Sequence, residues 1–240
     1  MSQGNFTPAL GYSALTGFYD AAIRLATREK RWRSLLLQGV APLDGDYIID
    51  VGCGTGTFAI MLKRAAPGAR IVGLDPDPAA LDRARKKAER VELDIEWRSG
   101  FAGDVSTFPS EFDKAVSSLV FHQVPVAEKR SGITGMFQCV KPGGEVHIAD
   151  YARQRGWLMR SLFRSVQLLD GRENTQPNAD GMIEQILAEI AGPRGVSKTG
   201  VRTATGEITL FRCARPKEMI LVGDLLSHRS EGGVSLVRKQ

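Results

Sequence analysis

The stretch from Tyr47 to Thr57, with the sequence YIIDVGCGTGT, constrains the fold of this chain more than any other. Its apolar first half predicts a short strand buried on both faces, which is typical of a parallel sheet. The glycines that follow have no Cβ atom, so they permit a tight turn and a close approach of backbone to a ligand. Beyond the turn, apolar residues recur at helical spacing, at Phe58, Met61, Leu62 and Ala65. Strand, glycine turn and helix together predict one half of a nucleotide-binding βαβ unit.

Two classes of cofactor are bound by turns of this kind, and the residues discriminate between them. A dinucleotide site has the pattern G-x-G-x-x-G, with the pyrophosphate at the start of the helix. In this chain Thr57 occupies the position of the third glycine, and an acid, Asp50, precedes the turn. A carboxylate would repel a pyrophosphate but attract a ligand that carries an ammonium and a sulfonium. S-adenosylmethionine (SAM) carries both groups, so Asp50 favours SAM.

The run from Asp50 to Gly56, DVGCGTG, resembles the first motif of the class I SAM-dependent methyltransferases. The resemblance covers roughly residues 18–214. It implies an α/β fold, a Rossmann-like doubly wound sheet of seven mainly parallel strands, with a helical lid insertion and an antiparallel closing hairpin. It also implies that the turn contacts the cofactor through Asp50, Gly52, Cys53, Gly54 and Gly56.

An acid also ends the second predicted strand. Asp75 lies where a carboxylate can accept hydrogen bonds from both ribose hydroxyls of an adenosine, with Pro76 beside it in the predicted site. Asp77 and Pro78 then have the residue types of a helix N-cap and first helical position. Dinucleotide enzymes place an acid similarly, so Asp75 predicts adenosine binding without choosing the cofactor.

The adenine end of the site departs from the family pattern. Many relatives carry Gly-Asp-Ala after the third strand, whereas this chain has Gly100, Phe101 and Ala102. Two interpretations stay open: Phe101 stacks on the adenine, or Asp104 takes over the missing acid's role. At the other end of the cofactor, Tyr19 and Asp20 resemble a Tyr-Asp pair that borders the methionyl group in relatives, with core packing as the alternative for Tyr19.

The segment after the fourth predicted strand carries the candidate catalytic residue. By the family's geometry, the residues from Ser118 and Leu119 to His122 pass under the sulfonium. His122 is the candidate general base, because imidazole titrates near neutral pH; the alternative is that it packs and hydrogen-bonds the cofactor. Asp150, at the tip of the fifth strand, either faces an acceptor pocket or caps a loop, and His147 is expected to be buried structure.

Three regions are expected along the chain. Residues 1–40 form an N-terminal arm and cover helix, residues 41–214 the methyltransferase domain with a lid insertion at 151–195, and residues 215–240 an extension of unknown role. Within the insertion we predict helices from Trp157 to Leu169 and from Asp180 to Ala191, separated by a polar loop from Asp170 to Asn178. Residues 196–203 and 206–213 are predicted to form the closing hairpin.

Composition limits the partners. The net charge of +5 and the pI near 9.2 arise from widely spread basic residues and give no strong nucleic-acid signal. One concentration, in the insertion, favours an acidic or hydrophobic acceptor: Arg153, Arg155, Arg160, Arg164 and Arg172. Three scattered cysteines predict neither disulfides nor a metal site, and no apolar run reaches the ~20 residues of a membrane span. A cytoplasmic enzyme is expected, and a homodimer is left open.

The sequence thus predicts a SAM-dependent methyltransferase that transfers a methyl group to a small-molecule acceptor by in-line displacement. Relatives that share His122-Gln123 and Lys141-Pro142-Gly143-Gly144 include quinone-type and natural-product methyltransferases. The alternatives are a nicotinamide-dependent oxidoreductase on a Rossmann-like fold, a basic methyltransferase of nucleic acid or of a lipid surface, and a cofactor-binding scaffold without catalysis.

Overall fold

Seven strands form one mixed sheet in the computed structural model, which describes residues 27–217. The order across the sheet is β3-β2-β1-β4-β5-β7-β6. Strands β1 to β5 pair in parallel, and β7 is antiparallel to both β5 and β6. This arrangement confirms the predicted fold class. The strands are β1 (Tyr47–Val51), β2 (Arg70–Asp75), β3 (Glu96–Ser99), β4 (Phe112–Ser118), β5 (Val140–Tyr151), β6 (Val196–Thr203) and β7 (Gly206–Ala214).

Helices cover both faces of this sheet. Trp32 and Leu36 pack with Phe58 in one buried cluster, whereas Ile133 and Phe137 belong to the cluster on the opposite face. Because both faces are covered, the free ligand-accessible region is the edge where the parallel strands end. The helices are α1 (Glu29–Val40), α2 (Thr57–Ala65), α3 (Pro78–Glu89), α4 (Val126–Cys139), α5 (Gly156–Asp170), α6 (Arg172–Asp180) and α7 (Met182–Ala191), with a 3₁₀ helix at Ala102–Thr107.

Strand β5 begins earlier than predicted. The break expected at Lys141–Gly144 lies inside the strand as an irregularity, where the pairing with β4 shifts from Phe112↔Val140 to Lys114↔Glu145. Gly143 has a φ of 80°, a value that glycine adopts without strain. The extra residues are therefore accommodated as a bulge rather than as a separate loop.

The prediction of a polar loop from Asp170 to Asn178 is wrong, because most of this segment forms helix α6. Polar side chains that indicated a loop make buried hydrogen bonds instead. Asn178 donates from Nδ2 to the carbonyl of Tyr151 over 2.8 Å, and Thr175 donates from Oγ1 to the carbonyl of Gly171 over 2.6 Å. Tertiary contacts thus override a weak local preference. The closing hairpin, in contrast, is confirmed with its turn immediately before Gly206.

Several predictions lie outside the described residues. They include the start of the cover helix near Phe18, the pair Tyr19-Asp20, and the extension beyond residue 217. The part of the cover helix that is described begins at Glu29. Within residues 27–217, no helix is both long and apolar enough to cross a bilayer.

Candidate active site

The glycine turn after β1 has the left-handed backbone that its sequence predicted. Gly52, Gly54 and Gly56 have φ angles of 70°, 52° and 73°. A Cβ atom at Gly52 would lie 2.2 Å from Cγ2 of Val120, so this glycine lets the turn pass close to the tip of β4. Among residues 27–217, no atom would lie within 4 Å of a Cβ atom at Gly54. Gly54 therefore faces open space, and its backbone is accessible to a ligand.

Gly56 has a different role, at the N-terminus of α2. A Cβ atom there would lie 2.5 Å from Cη2 of Trp97 and 2.9 Å from Cβ of Ala84. This glycine therefore allows the turn to pack closely against β3 and α3. The side chain of Cys53 is 8 % exposed in the same turn, and burial raises the pKa of its thiol, so the thiol stays protonated.

Asp75 connects the tip of β2 to this turn. Its Oδ2 accepts a hydrogen bond from the backbone N–H of Gly54 over 2.7 Å, and its Oδ1 accepts one from Asp77 over 3.0 Å. Burial raises the pKa of the carboxyl, and these two hydrogen bonds partly oppose the shift. An ionised carboxylate has about four acceptor positions, so Asp75 keeps acceptor capacity for the hydroxyl groups of a ligand.

Asp50 is the most unusual polar group at this edge. Its side chain is fully buried, and neither carboxylate oxygen has a hydrogen-bond partner among residues 27–217. Burial raises the pKa of Asp50 from 3.8 to about 7, although the charge of Arg33 and, more weakly, the backbone N–H of Ala59 oppose the shift. A buried carboxylate without a partner is costly unless a cation or donor comes to it. The position therefore fits a cationic ligand and would repel an anionic one.

Lys87, on α3, contacts the glycine turn. Its ammonium donates to the carbonyl oxygen of Thr55 over 3.0 Å and to the Thr55 hydroxyl over 2.6 Å. These hydrogen bonds attach the glycine turn to α3. No pattern in the sequence could reveal this contact, because Lys87 is one of several basic residues at equivalent helical positions.

The segment after β3 lies beside Asp75. The N–H of Gly100 donates to the carbonyl of Asp75 over 3.2 Å. Phe101 is 49 % exposed. Asp104 accepts a hydrogen bond from the N–H of Phe101 over 2.8 Å, so its carboxylate already closes the start of the 3₁₀ helix. The exposed ring of Phe101 is available to stack on an adenine, and Asp104 remains the alternative contact because its carboxylate keeps acceptor capacity.

The tip of β4 turns sharply at Leu119, which has a φ of 58° despite carrying a side chain. Its N–H donates to the carbonyl of Ala149 over 2.9 Å, which anchors the turn to β5. A left-handed residue other than glycine stores backbone strain, and such strain is concentrated at functional sites. Ser118, immediately before it, is half-buried.

His122 is buried between two carboxylates. Its Nδ1 lies 2.7 Å from Oδ1 of Asp150, and its Nε2 lies 3.4 Å from Oδ2 of Asp170. Burial lowers the pKa of this imidazole, but the two carboxylates outweigh burial and raise the pKa from 6.5 to about 9. The ring is therefore an imidazolium at neutral pH, which has no lone pair to accept a proton. The arrangement favours the packing interpretation of His122 over that of a general base.

Lys129 is a further buried cation that the sequence analysis missed. Its ammonium donates to the carbonyl oxygens of Val124 and, over 2.8 Å, of Asn174, and Asn174 in turn donates to the carbonyl of Gln123 over 2.9 Å. Burial lowers the pKa of Lys129 to about 8. The hydrogen bonds of Asn174 attach α6 to the segment after β4, and the His122–Asp170 contact attaches the end of α5 to the same segment.

The structure brings the predicted site residues to one edge, where β3, β2, β1 and β4 end next to one another. Asp50, the glycine turn, Asp75 and Phe101 lie at successive strand ends, and Ser118 and Leu119 lie at the end of β4. Pro76 and Gly100 are half-buried beside Asp75. Tyr19 lies outside the described residues. Contact of any of these residues with a cofactor stays a prediction.

Comparison with known families agrees with this geometry. Residues 48–144 match the model of the family described as "Methyltransferase domain". This region is therefore similar to a methyltransferase domain. The matched span contains the glycine turn, Asp75 and His122, and it ends in the Lys141–Gly144 segment.

Curated methyltransferases are similar to the same part of the chain. An uncharacterized methyltransferase of Synechocystis sp. is 33% identical over 144 residues, which cover 58% of this chain and 65% of the relative. The demethylmenaquinone methyltransferase of Deinococcus radiodurans is 28% identical over 155 residues, which cover 64% of each protein. The match thus spans slightly less than two thirds of the length of these relatives.

Solved structures share the fold over a longer range. An O-methyltransferase family protein of Burkholderia thailandensis has a TM-score of 0.65 at 20% identity, covering 85% of this chain and 60% of the other. The magnesium protoporphyrin IX methyltransferase of Synechocystis, with bound S-adenosylhomocysteine (SAH), has a TM-score of 0.59 at 19% identity, covering 85% and 89%. The fold around the methyltransferase domain is therefore that of known methyltransferases.

Proposed function

We propose that this protein is a SAM-dependent methyltransferase that acts on a small-molecule acceptor. The observation that carries the proposal is Asp50, a fully buried carboxylate with no partner among the described residues, placed directly before a glycine turn that opens to solvent at Gly54. A ligand with cationic groups would compensate this charge. The pyrophosphate of a nicotinamide dinucleotide would be repelled by it.

The residues at the strand ends fit the remaining parts of SAM. Asp75 has acceptor capacity left for the ribose hydroxyls, because each of its oxygens accepts one backbone N–H. Phe101 has the exposed aromatic face that adenine would stack on. Gly54, Leu119 and Ser118 would surround the methionyl end.

When bound, SAM would supply a methyl carbon on a sulfonium, so that an acceptor nucleophile could attack this carbon in line while the C–S bond breaks and SAH leaves. The chain contributes alignment and the exclusion of water. Holding two reacting groups in line can lower a barrier by about 7–11 kcal/mol in favourable intramolecular models. The strained turn at Leu119, fixed to β5 through Ala149, gives the site the rigidity that alignment needs.

We assign His122 a positioning role in this mechanism. Its two carboxylate partners keep it protonated and fix its ring beside the tip of β4. Asp150 also accepts hydrogen bonds from the N–H groups of Phe121, over 2.6 Å, and Tyr151, over 2.7 Å. The pair therefore determines the path of the backbone next to the reaction site. A general base, where the acceptor needs one, would come from another group or from the acceptor itself.

Isothermal titration calorimetry with SAM, SAH and NAD tests the proposal. SAH is expected to bind and NAD to give no heat. Asp75→Asn should weaken SAH binding by about tenfold or more, because the amide replaces an acceptor by a donor. Asp94→Asn, at an exposed acid, is the matched control and should bind SAH as the wild type does. Binding of NAD without SAH would instead identify a nicotinamide-dependent enzyme.

The proposal also includes the cellular location and the oligomeric state of the enzyme. Cys53, Cys139 and Cys213 are all free and buried, which is typical of proteins from reducing compartments and supports the expected cytoplasmic location. The homodimer and the assignment of residues 151–195 as a lid are parts of the proposal that gel filtration and an acceptor-bound structure would test. Strong, salt-dependent binding of RNA, DNA or anionic vesicles would favour a nucleic-acid or lipid-surface acceptor instead.

A further inference from the structure

A cavity of about 460 Å³ lies between α5 and α6, in the insertion that follows β5. Its volume is within the range of small-molecule sites. One part of its wall is apolar, and the other is basic. The residues that matter here are Phe163, Leu168, Ala179, Arg160, Arg164 and Arg172.

The cavity is strongly positive. Among the lining residues that the structure describes there is no acid. Arg160 is partly engaged, since its Nη2 lies 3.7 Å from Oδ1 of Asp180 and its Nε donates to the carbonyl of Gln154 over 3.2 Å. Arg164 and Arg172 form no ion pair within residues 27–217. Their guanidinium groups are available to bind a carboxylate or phosphate in a forked geometry.

A larger cavity on the other side of α6, of about 660 Å³, lacks this property. It is lined by Arg153 and Arg172 together with two acids, Glu173 and Asp180, so its wall carries both signs of charge. Only the smaller of these two cavities therefore combines an apolar wall with uncompensated positive charge.

The smaller cavity adjoins the tip of β4. The ring of Phe163 lies 5.2 Å from the ring of Tyr151, which lies 5.1 Å from the ring of His122. Asp170, the last residue of α5, also contacts His122, and Asn174 of α6 donates to the carbonyl of Gln123 over 2.9 Å. Both helices that line the cavity are thus joined to the segment that passes the proposed reaction site.

We propose that this cavity binds the anionic end of the acceptor, and that the acceptor is an amphipathic small molecule with an apolar body and a carboxylate, phosphate or sulfate group. The apolar body would pack on Phe163 and Leu168, and Arg164 and Arg172 would bind the anion. The inference rests on the methyltransferase function proposed above, because only that function makes the occupant an acceptor.

Calorimetry with 2-naphthoate and its neutral carboxamide tests the inference on the full chain in the presence of SAH. The two probes differ in charge and share the apolar body. Naphthoate is expected to bind about tenfold more tightly than the amide. Arg164→Gln and Arg172→Gln should each remove most of that difference. Arg194→Gln is the matched control, since Arg194 is an exposed arginine outside the cavity lining and changes the net charge equally.

Three outcomes would overturn the inference: equal affinity for the two probes, a preference that survives both cavity substitutions, or an equal loss in Arg194→Gln. The exposed positions of Arg164 and Arg172 mean that neither variant should lower the melting temperature, which is checked in parallel. SAH binding is measured first in the same samples. A failure of the wild type to bind SAH contradicts the proposed function, whereas a wild type that binds SAH but does not prefer naphthoate contradicts only the anionic acceptor.

Discussion

The Nδ1 atom of His122 lies 2.7 Å from Oδ1 of Asp150, and both side chains are buried. A buried ion pair adds little net stability compared with an apolar pair, but removing one partner leaves an uncompensated charge. The contact joins the segment after β4 to the tip of β5, at the edge where the cofactor is proposed to bind. The stability of this edge should therefore depend on the charge of His122.

The first prediction concerns His122→Phe, which keeps a ring but removes the partner of Asp150. We expect the free energy of unfolding in urea at pH 6 to fall by about 3–5 kcal/mol. Asp170→Asn removes the more exposed partner of the same imidazole, at 3.4 Å and 27% side-chain exposure, and should cost less than about 1 kcal/mol. Equal losses in the two variants would contradict the assigned importance of Asp150.

The same pair predicts a pH dependence. The pKa of His122 in the folded protein, about 9, lies above its ordinary value of 6.5. Its stabilisation is therefore complete below pH 6.5 and is lost as the pH rises to 9, by about 3 kcal/mol at 1.36 kcal/mol per pKa unit. Lys129 has a lowered pKa of about 8, so its contribution to the free energy of unfolding grows between pH 8 and 10.5. Because Lys129 is present in both proteins, the difference between wild type and His122→Phe reports the contribution of His122. If the free energies of unfolding of wild type and His122→Phe differed by the same amount at pH 6 and pH 9, this pH dependence would be refuted.

The second prediction is that Asp50→Asn stabilises the ligand-free protein. The folded pKa of Asp50, about 7, lies above its ordinary value of 3.8, so ionisation lowers stability as the pH rises from 3.8 to 7. At pH 8 the free energy of unfolding of the variant should be about 2–4 kcal/mol higher than that of wild type. The difference should be smaller at pH 5. SAH binding should weaken in the same variant. A variant that is destabilised at pH 8 would show that the carboxylate has an internal partner.

The third prediction separates two glycines with similar φ angles. Gly56→Ala should lower the melting temperature more than Gly54→Ala, because its methyl group would overlap Trp97 and Ala84; overpacking costs about 1–3 kcal/mol in addition to backbone strain. Gly54→Ala adds a methyl group to open space and should chiefly weaken SAH binding. Calorimetry of both variants measures melting temperature and SAH affinity. If Gly54→Ala lowered the melting temperature more and Gly56→Ala weakened SAH binding more, the ligand would not bind at Gly54.

The fourth prediction concerns Phe101, which is 49 % exposed. Phe101→Ala should leave the melting temperature unchanged and weaken SAH binding by about 1–3 kcal/mol, the range found for aromatic stacking on a nucleobase. Phe108→Ala is a useful contrast, since that ring packs on Phe112 with centroids 6.0 Å apart and should lower stability instead. If Phe101→Ala bound SAH as tightly as wild type, Asp104 would become the favoured adenine contact.

The amino-acid sequence by itself determined the edge at which the cofactor is proposed to bind. The glycine turn, Asp50 and Asp75 are specified locally, since positive φ angles, strand ends and helix starts depend on residues near in sequence. The seven-stranded sheet and its closing hairpin were implied by the resemblance to the class I methyltransferases, and connections between parallel strands place their carboxyl ends at one edge.

Only the tertiary structure decided the charge state of His122, the attachment of Lys87 to Thr55, and the helix in place of the predicted polar loop. Each depends on a partner far along the chain: Asp150 lies 28 residues from His122, and Thr55 lies 32 residues from Lys87. Burial and opposing charge act through space, so the pKa of a histidine and the role of a lysine cannot be read from residue type and spacing. The fold is encoded in local patterns, whereas the chemistry of its ionisable groups arises from packing.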